Sequence, residues 1–153
     1  MKFNLFAITL ATVLSFQAPS VIAQETRKVN LTPSVSIEIM GGVRAIGITG
    51  GVEFMTNETY EFLQSSPPTD NYSSVVAQFS PLTHDELVRG TPGVVEYNHA
   101  QDTFRTSYGT EFQVLHLKSG GSIVISTHYP DDKTRTIFNE VHYQLLVSGL
   151  VIR

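Results

Sequence analysis

Tyr97 and His99 stand two residues apart, so on one strand their side chains would point the same way. Glu111 opens a later segment of alternating apolar residues, and Arg135 opens the next one. In an antiparallel sheet, this phenol, imidazole, carboxylate and guanidinium could converge on one face. Cleavage of a phosphodiester beside a 2′-hydroxyl uses such a set. The carboxylate, helped by the imidazole, takes the hydroxyl proton as general base. The guanidinium stabilises charge building on the phosphorane oxygens. A general acid must still protonate the leaving 5′-oxygen. The ordinary alternative is a cross-strand ion pair between Glu111 and Arg135, which neighbouring strands form routinely. On residue types alone that alternative weighs more.

The other histidines are His84, His116, His128 and His142. No two of the five have the helical spacing of a metal pair, and no HExxH occurs. No glycine-rich phosphate loop precedes a helix. The absence of cysteine excludes thiol chemistry and thiolate-held zinc. The sequence therefore predicts no metal and no cofactor.

The segments that would position these groups read mostly as strands. Val35, Ile37 and Ile39 alternate with Ser36 and Glu38, the pattern of a strand with one buried face. Gly41-Gly42 predicts a hairpin turn into a return strand over 43–49, and Gly50-Gly51 a second turn into 52–55. Residues 64–74, rich in Ser, Pro and Asp, predict a loop, with a helical turn around 74–79. One short helix is expected in 81–90, where Thr83 and Glu86 make a capping box and Gly90 and Pro92 stop it. Further strands are expected over 94–98, 110–118, 122–127, 135–138 and 143–152. The expected class is α+β: one short helix packed on a mainly antiparallel twisted sheet, with an extra N-terminal hairpin or meander.

Residues 1–23 read as a signal peptide: Lys2, an apolar run from Leu5 to Phe16, then small residues before Gln24. That leaves 24–153 as one secreted domain. Its removal takes away one basic residue, Lys2, leaving 9 basic against 14 acidic and a net charge of −5. Such a surface does not attract phosphate backbones by counterion release. No later segment reaches the length of a membrane-spanning helix, so no membrane association is expected. Asn57, Asn71 and Asn30 each open a glycosylation triplet, with Asn30 disfavoured by Pro33 directly after its triplet.

The closing segment "TRTIFNEVHYQLLVSGLVIR" resembles the final hairpin of the microbial ribonucleases related to ribonuclease T1. "EYNHAQDTF" is similar to that family's His-bearing strand and "TEFQVLHLKSGG" to its Glu-bearing strand. The resemblance implies a ribonuclease T1-like sheet in which His99 assists, Glu111 is the base and Arg135 binds phosphate. The family's acid histidine falls at Leu150 or Val151, where no proton donor stands. In this form the chain resembles the secreted ribonuclease-like effectors of powdery mildew fungi. That implies a catalytically inactive effector that binds a host protein, an immune receptor or RNA. Two alternatives remain open: an active endoribonuclease with His128 or His142 as acid, and a β-rich secreted binding module of other descent.

Overall fold

A computed structural model describes residues 26–66 and 71–152. The expected signal peptide and Arg153 lie outside the described residues. The strands are β1 (Arg27–Thr32), β2 (Val35–Ile39), β3 (Val43–Ile48), β4 (Gly51–Thr56), β5 (Ser74–Ser80), β6 (Val94–Asn98), β7 (Thr103–Thr106), β8 (Glu111–His116) and β9 (Ser122–His128). The helices are α1 (Asn57–Ser65), α2 (His84–Gly90) and α3 (Asp132–Val147). The class is α+β, as expected, with a seven-stranded antiparallel sheet in the order β3-β4-β5-β9-β8-β7-β6 and a separate β1-β2 hairpin.

Three sequence expectations are corrected. Residues 135–138 and 143–152 do not form strands. Residues 132–147 are α3, a helix of 16 residues. Its β-branched and aromatic residues suggest strand, but tertiary burial overrides that weak preference. Thr134, Ile137, Val141 and Leu145 recur every three or four residues and are the buried stripe. Asp131 and Thr134 form a reciprocal capping box that starts the helix. Gly149, at φ +75°, takes the left-handed conformation that ends it.

Second, Gly41-Gly42 does not close a hairpin. β2 pairs with β1, while β3 pairs with β4, so this turn carries the chain from one sheet to the other. Third, residues 74–79 are not a helical turn. They belong to β5, paired on both sides, with Val75 and Ala77 fully buried. The expectation of a single helix thus becomes three. The capping-box helix is present as α2, with both reciprocal bonds formed. The turn at Gly50 joins β3 to β4 as expected.

The core lies on one face of the sheet. Phe54, Val75, Ala77, Ile123 and Ile125 meet Ile137, Val141 and Leu145 of α3 and Leu31, Val35, Ile37 and Ile39 of the hairpin. β9 is the middle strand, paired on both sides, and six of its seven residues are buried. Gln144 ties α3 to the hairpin: its Oε1 accepts the Glu38 N–H at 2.7 Å, and its Nε2 donates to the Glu38 carbonyl. After α3 the chain returns to the end of β8, where Val151 pairs with Leu117 and is 1% exposed. Of the two positions that the resemblance assigns to an acid, Val151 is core and Leu150 is exposed. α3 and the hairpin cover only the middle of the sheet. The β6-β7-β8 end stays open and forms the flank of a groove.

Candidate functional site

The pairing register decides which predicted residues can meet. Glu96 pairs with Arg105, Arg105 with Glu111, and Glu111 with Thr127. The next row holds Tyr97, Phe104 and Phe112. Adjacent rows point to opposite faces. Glu111 therefore faces α3, while Tyr97 faces away, and His99 follows Tyr97. The four residues expected on one face divide into two pairs on two faces.

On the α3 face, Arg135 holds Glu111 in a fork: Nη1 donates to Oε2 at 3.1 Å and Nη2 to Oε1 at 3.3 Å. Arg105 Nη2 donates to Glu96 at 2.8 Å. The four charges alternate across β6, β7, β8 and α3, each cation with its own acid. All are partly exposed, so each pair contributes about 0–1 kcal/mol. Glu96, Arg105 and Glu111 border a cleft of about 400 Å³ at the sheet edge, whose lining also includes Tyr97, Gln113 and Phe138. Among the described residues, no histidine lines it.

A second cleft of about 460 Å³ shares Gln101 and Gln113 with the first and is bounded by His116, His142 and Leu146. Phe138 lines the first cleft and His142 and Leu146 the second, and Arg135 continues their stripe of α3 toward Glu111. Burial holds the His142 imidazole below its usual value. His142 lies seven residues beyond Arg135, roughly 10 Å along the helix axis. Its ring lines the second cleft and not the first. His128 follows Thr127, the direct partner of Glu111, so its side chain faces the other way. Its Nδ1 lies 3.4 Å from the Thr110 hydroxyl.

On the far face, the Tyr97 and His99 rings meet edge to face with centroids 5.0 Å apart. His99 Nδ1 lies 3.5 Å from Asp85 Oδ1, and its ring packs against His84 at 5.3 Å. His84 rests on Phe104, which stacks on Phe112 at 4.4 Å. Sequence reasoning missed His84 and Asp85, because only the tertiary fold brings α2 beside the turn after β6. Arg105, Phe138 and Gln113 were also missed; the one available signal was the Arg105–Glu96 pairing of opposite charges on adjacent strands.

Of the glycosylation candidates, Asn30 is exposed on β1 and Asn71 is exposed before β5. Asn57 opens α1, half-buried, and its N–H donates to the Gly42 carbonyl at 3.0 Å. A wider cleft of about 750 Å³ lies between the β1-β2 and β3-β4 turns, lined by Leu31, Ile48 and Phe79 among others, and holds no acid or base. Among the described residues, no helix is long and apolar enough to cross a membrane. No protein-family model, curated protein or solved structure matches this chain.

Proposed function

We propose that this chain acts by binding a protein partner through the groove beside α3, and that it performs no phosphodiester cleavage. One observation supports the reading: Arg135 and Glu111, the two groups expected to act on a phosphate and a 2′-hydroxyl, are bound to each other in a two-bond fork. The imidazole that would assist them is on the other face, engaged with Asp85 and His84. A missing acid or base costs about 10²–10⁴ in rate, and here the set lacks both an assisting imidazole and a proton donor.

The groove suits protein better than nucleic acid. Its charges cancel in adjacent pairs, and the chain carries a net −4, so little counterion release is available to drive RNA binding. Paired charges, amides and the Phe138 ring match the polar and aromatic mix of protein interfaces. Secretion enters the proposal through the leader-like residues 1–23. A host protein or immune receptor as partner enters through the effector resemblance. Kinship with the ribonuclease T1 family rests on the β6 and β8 segments alone, since the third resembling segment is helix α3.

The test is incubation of the purified protein with RNA, followed by analysis for 2′,3′-cyclic phosphate ends. No such ends are expected. Turnover that disappears in Glu111→Gln would overturn the proposal.

A further inference from the structure

His84 is explained neither by the groove nor by the packing of the core. It opens α2, is 5% exposed, and neither ring nitrogen has a hydrogen-bond partner. A buried polar group left unsatisfied costs on the order of 1–3 kcal/mol. Its surroundings are those of a ligand set. Asp85 Oδ1 lies 3.8 Å from His84 Nδ1 and 3.5 Å from His99 Nδ1. One donor atom from each of the three residues falls within 4.8 Å of the others. Donors on one tetrahedral cation at about 2.0–2.1 Å stand roughly 3.3 Å apart. Small side-chain movements would therefore bring all three onto a common ion.

We infer that His84, Asp85 and His99 form a site for a divalent transition cation of the Zn²⁺ class. Two imidazoles and one carboxylate suit zinc, nickel or cobalt, whereas calcium and magnesium take oxygen ligands. Three protein ligands leave a position open to solvent or to an exogenous donor.

The scaffold holds this geometry without borrowing a ligand. Glu86, not Asp85, serves the capping box, accepting from the Thr83 N–H at 2.8 Å. Asp85 Oδ1 is thus left facing the two imidazoles. Phe104 packs on the His84 ring at 61° and Tyr97 on the His99 ring at 87°, fixing both orientations. His99 and Asp85 are 61% and 65% exposed, so a cation can reach the site without any opening of the core.

The test is isothermal titration of Zn²⁺, Ni²⁺ and Co²⁺ into the untagged protein after chelator treatment. One site per chain is expected, with a higher melting temperature at saturating metal. His99→Ala and Asp85→Asn, both at exposed positions, are each expected to weaken binding tenfold or more, while lowering the metal-free melting temperature by no more than about 4 °C. Replacing His84 removes a buried ring and can unfold α2. Its part is therefore read by NMR: the His84 ring-nitrogen shifts move on adding Zn²⁺ to the wild type and stay fixed in His99→Ala. Absence of binding at about 100 μM, a free energy of only ~5.5 kcal/mol, would overturn the inference. So would unchanged affinity in His99→Ala, which would move the metal to other side chains.

Discussion

Asp131→Ala tests how α3 is started, and with it the placement of Arg135 beside Glu111. Asp131 Oδ1 accepts the Thr134 N–H at 2.7 Å and the Thr134 hydroxyl at 2.9 Å, while the Asp131 N–H donates back to Thr134 Oγ1 at 2.9 Å. Truncation removes the carboxylate's two bonds and loosens the turn that holds Thr134, which is 1% exposed. A lost cap of this kind costs about 1 kcal/mol, with an upper end near 2. Asp131 itself faces solvent, which screens its charge and keeps the expectation at the lower figure. For a chain of this size that is roughly 3–4 °C in melting temperature.

The pH dependence adds a second check. The Thr134 N–H holds the Asp131 carboxyl below its usual value in the folded chain. A folded value below the unfolded one means the stabilisation is complete above the unfolded value, about 3.9. It is lost as pH falls through the lower, folded value. The gap between wild type and Asp131→Ala should therefore be full at pH 7 and shrink in acid. Asp131→Asn, which keeps an acceptor but no charge, should cost less and lose this pH dependence. Thermal melts by circular dichroism between neutral pH and pH 3 measure all three. A shift under about 1 °C at neutral pH, or a gap that widens in acid, refutes the reasoning.

A double-mutant cycle with Glu111→Gln and Arg135→Met should give a coupling of about 0.5–1 kcal/mol at low salt that falls in high salt. A coupling above about 2 kcal/mol would mean the pair is more desolvated than its half-exposed geometry implies. Leu145→Ala removes a side chain that is 0% exposed between α3, the sheet and the hairpin. It should cost about 2–5 kcal/mol in denaturant unfolding; a loss under about 1 kcal/mol would show that the α3 stripe is not core.

Signals that act within a few residues were legible in the sequence. Thr83 and Glu86 reach each other inside one helical turn, so α2 could be read directly. The alternation of Val35, Ile37 and Ile39 became the buried face of β2. The same type of signal was present for α3, in Asp131 with Thr134 and in the four-residue spacing of Ile137, Val141 and Leu145. It was outweighed by the β-branched and aromatic residues between them. Which preference won depended on a sheet face to pack against, and that face is built by strands far away in the chain.

The candidate site depended on tertiary structure still more. The sequence determined that Tyr97 and His99 share a side and that Glu111 and Arg135 are of opposite charge. It also determined that residues 148–153 contain no histidine. It could not say whether Tyr97 and Glu111 face the same way, because a shift of one residue in strand pairing reverses every side chain. The observed register put them on opposite faces. Only the folded chain decided that His99 stands with His84 and Asp85 and that Arg135 reaches Glu111 from a helix. Residue types are local properties, whereas the face a strand residue occupies is fixed by the strand beside it.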